Sequence, residues 1–326
     1  RVLTMSPIIK MTVQNSDFLT QLDALYQREL PHSQSSLHPA ASYHFRNPGK
    51  AFRAQLAYSS AAALGIETPD NLHWAAACEL LHNASLIHDD ISDASTHRRG
   101  QQSINHYFGA DMALCLGDWM VAKAFELAAR NQKHGGVLVA LLASAMQETC
   151  GGQMSDISQR QCATIDEWKF IARGKTAPLL IAPIKGAAIA AGLDQQLTSL
   201  EQLVSLCGLV YQGRNDIDDI VPSSHRSSDL DGRKPNLVIS LFGDNGAGND
   251  DFLAWYASND TSKVGHWQRR IAASDAIVQA SHSIDYWLEK ATHLIPAIPH
   301  PLQDVARALL ISVQQKAGVK QQGQIA

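Results

Sequence analysis

Hydrophobic residues recur at helical spacing along most of the chain. Leu203, Leu206 and Val210 illustrate the pattern, because residues three or four apart share one face of an α-helix. Alternation of apolar and polar positions, the mark of a half-buried strand, never extends beyond a few residues. The pattern predicts an all-α protein with helices over residues 16–29, 50–65, 69–93, 111–129, 137–157, 165–191, 198–221, 264–293 and 301–316.

Start and stop signals bound several of these helices. Thr68-Pro69-Asp70 places a capping residue before a proline and an acid, which is typical of a helix start. Thr164–Glu167 and Thr198–Glu201 match the capping-box pattern. Gly174-Lys175-Thr176 is expected to interrupt one helix, and Pro222 to end another.

The segments between the helices are predicted to be loops, and the whole chain to be one domain. The first 15 residues are expected to be poorly ordered, and the sequence contains no internal repeat or long linker. A single domain over residues 1–326 is large, which is tolerable if its helices surround a central cavity. The predicted loops are Pro31–Pro39, Ser223–Lys234 and Gly243–Asn249.

Composition narrows the class of protein. The chain is 45% hydrophobic and 18% charged, which favours a soluble globular protein. It lacks an apolar run long enough for a membrane span, and its first thirty residues do not resemble a secretion signal, so a cytoplasmic location is expected. A net charge of −4 with dispersed basic residues argues against nucleic acid as a partner. The five widely spaced cysteines are predicted to be reduced core residues.

Three carboxylates converge at the end of the helix predicted over residues 69–93. Asp89 and Asp93 share one side of it, with Asp90 nearby. The helix dipole disfavours negative charge at this end, so the cluster is expected to bind cations. Hard oxygen ligands without a cysteine or histidine cage suit Mg²⁺, which commonly bridges carboxylates to substrate phosphates. A solvated acidic helix end is the simpler alternative for this motif taken alone.

Two groups of basic residues flank this helix. Lys50 and Arg53 fall in the first turn of a predicted helix, where free backbone N–H groups also attract anions. Arg98 and Arg99 follow the last aspartate closely, and guanidinium groups bind phosphate in a bidentate manner. Together these cations favour a diphosphate ligand, although each group could also be an ordinary charged surface.

A second acidic helix end follows later in the chain. Gln212, Asp216 and Asp219 lie four and three residues apart and therefore on one helical face. Two such motifs, each closing a long apolar helix, predict opposed carboxylates that hold metal ions between them.

Six motifs in sequence resemble the trans-isoprenyl diphosphate synthases, the polyprenyl synthetase family, over roughly residues 45–241. The first aspartate-rich motif is His88–Asp93, followed by Arg98-Arg99-Gly100 at the expected spacing. The others are Gly49-Lys50-Ala51-Phe52-Arg53, Glu79-Leu80-Leu81-His82, Gly151-Gly152-Gln153 with Asp156, Lys175-Thr176, and Tyr211-Gln212 with Asn215, Asp216 and Asp219.

This resemblance implies a helical bundle around a deep pocket. The expected protein is a homodimer that joins isopentenyl diphosphate to an allylic diphosphate with the help of Mg²⁺. Diphosphate leaves, the resulting allylic carbocation is attacked by the isopentenyl double bond, and a proton is lost without a dedicated protein base.

The resemblance also assigns roles to individual residues. It implies that Mg²⁺ is held by Asp89, Asp90, Asp93, Asp216 and Asp219, that isopentenyl diphosphate is bound by Lys50, Arg53, His82 and Arg99, and that the allylic substrate is bound by Arg98, Lys175, Thr176 and Gln212. The catalytic set expected on this basis is Asp89, Asp90, Asp93, Lys175, Gln212 and Asp216.

Three positions depart from the family pattern. Asn215 stands where an aspartate is usual, which predicts one weakened metal site. The family's loop lysine has no secure match here, and Arg226 and Lys234 are the candidates. Lys234 is included among the predicted substrate-binding residues. The tail ending in Lys316 lacks the basic signature that many members carry.

The length of the product is predicted from residues just before the first aspartates. In farnesyl-type members a bulky aromatic side chain five residues before the first aspartate limits the growing tail. Here Ala84 and Ser85 are both small, so Leu81 and Trp119 become the candidates for a lower limit. A short-chain product longer than C15, with C20 favoured, is therefore expected.

Two other functions fit parts of the sequence. A class I terpene cyclase shares the fold, but its second metal motif would require Ser or Thr at Asp219 and Glu at Ser223, and it would leave Lys50 and Arg53 without a second diphosphate. A non-catalytic subunit of a heteromeric prenyl synthase would be expected to lose its carboxylates, whereas the first cluster is intact.

Overall fold

The protein is α-helical, as its hydrophobic pattern predicts. The computed structural model describes residues 7–158, 161–221, 225–244 and 249–315, with side chains from Asp17 onward. Within these residues the first nine helices are α1 Pro7–Glu29, α2 His38–Phe45, α3 Phe52–Ala63, α4 Asp70–Ser92, α5 Ile104–Tyr107, α6 Ala110–Ala129, α7 Gly135–Ser158, α8 Ile165–Thr176 and α9 Pro178–Ala190. The next seven are α10 Thr198–Ile220, α11 Ser228–Gly232, α12 Leu237–Asp244, α13 Asp250–Tyr256, α14 Val264–Ala272, α15 Ala276–Leu294 and α16 Gln303–Gln315.

Short elements complete the described chain. Strands β1 (His97–Arg98) and β2 (Gln101–Gln102) form an antiparallel hairpin. The sequence pattern did not predict it, because strands of two residues are too short to show alternation of apolar and polar positions. Three single-turn 3₁₀ helices lie at Asp194–Gln196, Ile295–Ala297 and His300–Leu302.

Helices α4, α6, α7 and α10 agree with their predicted extents within a few residues. At α4, Pro69 occupies the N-cap position that the sequence assigned to Thr68, and Asp93 is the C-cap. The capping box at Thr164 is confirmed: its side chain accepts from the Glu167 N–H, and Glu167 bonds back to the Thr164 N–H. α10 starts at Thr198 itself, so this threonine lies in the helix and not before it.

Several predicted boundaries were wrong. α1 begins at Pro7, earlier than residue 16, and α3 begins at Phe52, so Lys50 precedes the helix instead of lying in its first turn. α8 continues through Gly174 and ends at Thr176. Short helices, α2 and α11, occupy parts of two predicted loops. The segment predicted as one helix over 264–293 is divided into α14 and α15, because Asp275 and Ser274 end one helix and begin the next. Residues 1–6, Pro222 and positions 245–248 lie outside the described residues.

The contacts divide the chain into two compact units. The first comprises the described residues up to Gln147 together with Leu179–Leu197 and Pro299–Ala308. Its centre is α4, which packs against α3 and α6. The core is rich in small residues and leucine, with Ala75, Leu80 and Leu116 fully buried, and small side chains let the helices approach closely.

The second unit contains Glu148–Pro178, Thr198–Ile298 and the described residues from Leu309 onward. α10 lies against α15, and Trp168 of α8 stacks on Trp287 of α15 with ring centroids 5.7 Å apart. A second aromatic group, Phe252, Trp255 and Trp267, fills the space between α13 and α14. Aromatic packing thus replaces the small-residue packing of the first unit.

Two further findings bear on the sequence predictions. Among the described residues, no helix is both long enough and apolar enough to cross a membrane. Cys78 and Cys207 are buried as predicted, whereas Cys115 and Cys150 are exposed, so the prediction of core positions was wrong for these two. The exposed cysteines lie on α6 and α7, where apolar runs are long enough to leave some residues on the outer face.

Candidate active site

The first acidic motif lies at the C-terminal end of α4. Asp89 and Asp93 are half-buried, and Asp90 is 3% exposed. Arg98 pairs with Asp90 through Nη2 at 2.5 Å and Nε at 3.1 Å. Burial alone would lower the pKa of the Arg98 guanidinium, but its bonds to Asp90 and the charges of the neighbouring aspartates raise it. Arg98 therefore offsets part of the charge that the helix dipole disfavours here.

The hairpin that carries Arg98 is fixed to the end of α4. The Ser95 N–H donates to the Asp90 carbonyl at 2.9 Å, and Asn105 Nδ2 donates to the same carbonyl at 3.1 Å. Arg99 and Gly100 form the turn with φ of +52° and +77°, values that suit a two-residue hairpin. This turn directs the two consecutive arginines to different partners.

Arg99 is held by the loop between α2 and α3. Its Nη1 atom donates to the Asn47 carbonyl at 3.1 Å, and Asn47 Nδ2 donates to the Arg99 carbonyl at 2.8 Å. A Cβ atom on Gly49 would lie 2.8 Å from Arg99 Cζ, so the guanidinium packs directly on this glycine. The next residue is Lys50, so the hairpin and the lysine loop form one cationic surface.

His82 and Arg53 belong to the same region. Burial and the positive charges of Arg53 and Arg99 hold the pKa of His82 well below its usual value, so its imidazole is neutral at pH 7. Arg53 lies in the first turn of α3, and the Ala54 N–H in that turn donates to Glu79 Oε2 at 3.0 Å. Glu79 is 3% exposed and provides a buried negative charge under the cations.

His88 lies against Gly117 at the crossing of α4 and α6. A Cβ atom at Gly117 of α6 would lie 2.3 Å from His88 Nε2, so this helix crossing requires glycine. The same imidazole nitrogen is 3.4 Å from Asp118 Oδ1. The contact holds the last turn of α4, which carries Asp89, against α6.

In the second unit, two glycines bring Lys175 to its carboxylate. A Cβ atom at Gly152 of α7 would lie 2.3 Å from the Gly174 carbonyl carbon, so α7 and α8 cross with their backbones in contact. One turn further along α7, Asp156 Oδ2 accepts from Lys175 Nζ at 2.8 Å. Thr176 lies on the neighbouring side, with its methyl group against Gly208 of α10.

Asp216 is 1% exposed and is surrounded by neutral donors. Its oxygens accept from Trp168 Nε1 at 2.8 Å, Gln212 Nε2 at 2.8 Å and the Leu237 N–H at 2.7 Å. Burial and the charge of Asp229 raise the pKa of Asp216, and these three bonds oppose the rise. The carboxylate therefore ties α8, α10 and α12 together.

Asp219 binds the start of α11. It accepts from the Ser228 N–H at 3.0 Å, the Ser228 hydroxyl at 2.8 Å and the Ser227 hydroxyl. A carboxylate at a helix N-terminus satisfies free N–H groups and is favoured by the dipole. The polar loop predicted after Asp219 is thus organised by that residue.

Lys234 follows α11 and lies near Asp229. Burial and the charge of Asp219 raise the pKa of Asp229 to about 7, and its bond from Asn236 and the charge of Lys234 oppose the rise. Of the other cations in this segment, Arg226 pairs with Asp231 at 2.6 Å. The assignment of Lys234 to the substrate-binding residues stays a prediction.

The donor set of the first motif fits a magnesium ion. Among the described residues, no group of three or more His, Cys, Asp or Glu side chains is arranged to hold a metal ion by itself. Mg²⁺ usually keeps several waters and takes one or two carboxylates plus substrate phosphates. Asp89 and Asp93 provide such carboxylates on one side of α4.

Comparison with known proteins places the chain in a family. The polyprenyl synthetase family profile matches residues 34–271, which is well over half of the sequence. The fold, the two acidic helix ends and this match together show that the chain belongs to the polyprenyl synthetase family.

Individual relatives agree with this assignment. The chain is 36% identical over 178 residues to a short chain isoprenyl diphosphate synthase of Methanothermobacter thermautotrophicus, a match that covers 53% of this chain and spans about half, 55%, of that relative. It is 30% identical to the farnesyl diphosphate synthase of Micrococcus luteus over 72% of this chain and 84% of that protein. A geranylgeranyl pyrophosphate synthetase structure from Pyrococcus horikoshii has the same fold, with a TM-score of 0.80 at 23% identity, covering 95% of this chain and 97% of that one.

The structure groups the predicted site residues by unit. The first unit holds Asp89, Asp90, Asp93, Lys50, Arg53, His82, Arg98 and Arg99, and the second holds Lys175, Thr176, Gln212, Asp216, Asp219 and Lys234. Sequence reasoning missed His44, Asn47 and Asn83, which contact Arg99 or its partner. Asn83 lies on α4 close to Asp89, and its oxygen is 3.4 Å from Arg99 Nη1. Its place on the motif helix was the signal in the sequence that could have pointed to it.

Proposed function

We propose that this protein is a Mg²⁺-dependent prenyltransferase that condenses isopentenyl diphosphate with an allylic diphosphate to give a longer trans-prenyl diphosphate. The observation that carries this proposal is the first unit's site. Three carboxylates at the end of α4 lie beside Arg98, and Arg99 is locked onto the loop that bears Lys50. Family membership and the names of the relatives support the same activity.

The basic residues of the first unit are proposed to bind isopentenyl diphosphate. Lys50, Arg53 and Arg99 supply positive charge, and the ring N–H of neutral His82 can donate a hydrogen bond to a phosphate oxygen. The buried carboxylate of Glu79 limits their mutual repulsion. A diphosphate bound here would replace solvent around cations that are already in place.

On the family resemblance, the residues proposed to bind the allylic substrate are Arg98, Lys175, Thr176 and Gln212. A bound Mg²⁺ would neutralise the departing diphosphate, with Asp89, Asp90 and Asp93 as its predicted ligands and Asp216 and Asp219 as the predicted second group. The carbon–oxygen bond to diphosphate breaks, the isopentenyl double bond forms the new carbon–carbon bond, and the lost proton goes to the released diphosphate. No protein side chain needs to act as the base.

The product is proposed to be short-chain, with C20 favoured over C15. Ala84 is fully buried on α4, and α6, which carries Trp119, packs against the same helix. Ala84→Phe would add a ring at this position, and overpacking costs roughly 1–3 kcal/mol, enough to shift the product distribution tenfold or more. Ala84→Ser is the matched small control, and should leave the product length unchanged.

We also propose a homodimer, on the family resemblance, and a cytoplasmic location, on the features of the sequence. Sedimentation of the purified chain at several concentrations would measure the oligomeric state, and a monomer at all of them would contradict the dimer.

One incubation tests the activity. Purified protein receives isopentenyl diphosphate and allylic diphosphates of increasing length, with Mg²⁺ or with EDTA, and products are read by mass spectrometry. The expected result is Mg²⁺-dependent incorporation up to C20. Cyclic hydrocarbon from one substrate would indicate a terpene cyclase, and no product under any condition would favour a non-catalytic subunit.

A further inference from the structure

A buried hydrogen-bond network of His44, Asn83 and Glu79 lies beneath Arg99 in the first unit. His44 Nε2 and Asn83 Oδ1 are 2.8 Å apart, and Arg99 Nη1 lies 3.4 Å from the same oxygen. The exposed fractions of His44, Asn83 and Glu79 are 4%, 0% and 3%. Fully buried polar groups of this kind stabilise one arrangement when each finds its partner.

The hydrogen bonds define which atom of His44 carries the proton. Asn83 Nδ2 donates to the Glu79 carbonyl at 2.8 Å, so Asn83 Oδ1 is the atom that faces His44 and accepts. His44 Nε2 is therefore the donor. Burial and the charges of Arg99 and Arg98 lower the pKa of His44 to about 4, against its bond to Asn83. A neutral ring donates this bond without adding a positive charge beside Arg99.

At its other end, this hydrogen-bond network reaches α3. Glu79 Oε1 is 3.3 Å from Asn83 Nδ2, and Glu79 Oε2 accepts from the Ala54 N–H at 3.0 Å. The N-cap residue of α3 is Ala51, whose side chain cannot cap, and its φ is +46°. Glu79 thus takes the place of a capping residue and joins α3 to α4.

We propose that His44 and Asn83 are positioning residues for the diphosphate site, which hold the guanidinium of Arg99 and, through Glu79, the helix start that carries Arg53. This inference rests on the proposed function and adds to it two residues that do not touch substrate. Arg99 has the positive φ of a two-residue hairpin turn, so its side chain starts from a backbone that the hairpin fixes. A guanidinium held before binding loses less freedom when the diphosphate arrives.

The test compares His44→Leu, His44→Gln and Asn83→Leu with wild type. The glutamine amide can restore the donor to Asn83 Oδ1, whereas leucine cannot. His38→Leu is the matched control, because His38 lies on the same helix and bonds to the Pro31 carbonyl instead. Calorimetric titrations use inorganic diphosphate and isopentenyl diphosphate without divalent metal. Steady-state rates and hydrogen exchange of residues 97–102 are measured on the same proteins.

His44→Leu and Asn83→Leu should both bind diphosphate roughly tenfold more weakly than wild type. The KM for isopentenyl diphosphate should rise by a similar factor while kcat changes little, and hydrogen exchange of the hairpin should accelerate. His44→Gln should recover most of the affinity, and His38→Leu should behave as wild type.

The outcomes separate the two proposals. If wild type binds diphosphate and the leucine variants bind it equally well, the positioning role is wrong and the proposed function stands. A lowered melting temperature without a change in KM, or without rescue by glutamine, would also overturn it. If wild type binds no diphosphate, the proposed function fails, and the hydrogen exchange of the hairpin still decides whether His44 and Asn83 hold Arg99.

Discussion

The two acidic helix ends look alike in sequence and differ in their surroundings. At the end of α4, Asp89 and Asp93 are half-buried, and the buried Asp90 is neutralised by Arg98. At the end of α10, Asp216 is buried among neutral donors, and Asp219 caps α11. At the first end, Asp89 and Asp93 are the proposed ligands of a cation, whereas at the second end the carboxylates of Asp216 and Asp219 bind protein donors around them.

This difference shows that a motif's residue types do not fix its energetic role. A carboxylate whose bonds come from an indole, an amide and a backbone N–H is costly to remove, because three buried donors would lose their partner. A half-exposed carboxylate at a helix end is cheap to remove for stability, since the dipole disfavours it there. The following predictions separate these roles.

The largest effect is expected at Asp89. Asp89→Ala should lower kcat by about 10²–10³, the loss typical of removing one group that stabilises transition-state charge. Its melting temperature should stay close to that of wild type. Steady-state assays and thermal unfolding measure both, with exposed Asp111→Ala of α6 as the control. A near-normal kcat would remove Asp89 from the metal role.

Asp216→Ala should show the opposite balance. Three buried donors lose an acceptor, so the free energy of unfolding should fall by roughly 3 kcal/mol or more. Urea unfolding followed by intrinsic tryptophan fluorescence would measure it, with exposed Asp218→Ala on the same helix as the control. If the variant unfolds as wild type does but needs far more Mg²⁺ for activity, the main role of Asp216 is metal binding. The two acidic helix ends would then not differ in role.

Asp229 makes the second unit sensitive to pH. Its pKa is about 7 in the folded protein, against an ordinary aspartate value near 4 in the unfolded chain. The folded state therefore binds more protons between these values, and stability should fall as the pH rises from about 4 to about 7. Asp229→Asn should flatten this fall in melting temperature measured across that range. An identical pH profile in the variant would show that Asp229 does not titrate as described.

The smallest effect is expected at Asn215. Its side chain is exposed, and a neutral amide oxygen coordinates a cation with less Coulomb attraction than a carboxylate. Asn215→Asp should lower the Mg²⁺ concentration needed for half-maximal rate by a few-fold, as read from a magnesium titration of the initial rate. An unchanged or higher requirement would place this position outside the metal site.

Local pattern determined much of this protein. The helical periodicity predicted α4, α6, α7 and α10 within a few residues, because burying an apolar stripe requires the same spacing wherever the helix packs. The order and spacing of the aspartate and arginine motifs predicted the family, which the family profile confirms. The short hairpin and α11 escaped prediction, because each depends on a few bonds to residues elsewhere in the fold.

The partners of each charged side chain were decided only by the tertiary structure. Asp89 and Asp216 occupy similar places in similar motifs, yet only α8 and α12 could supply Trp168 and the Leu237 N–H that enclose Asp216. His44 carries no signal of its own in the sequence, because its role depends on a buried contact with Asn83 across 39 positions. Helical spacing is a local property that sequence encodes directly, whereas burial and charge pairing depend on which distant segments meet, and these set the role of each residue.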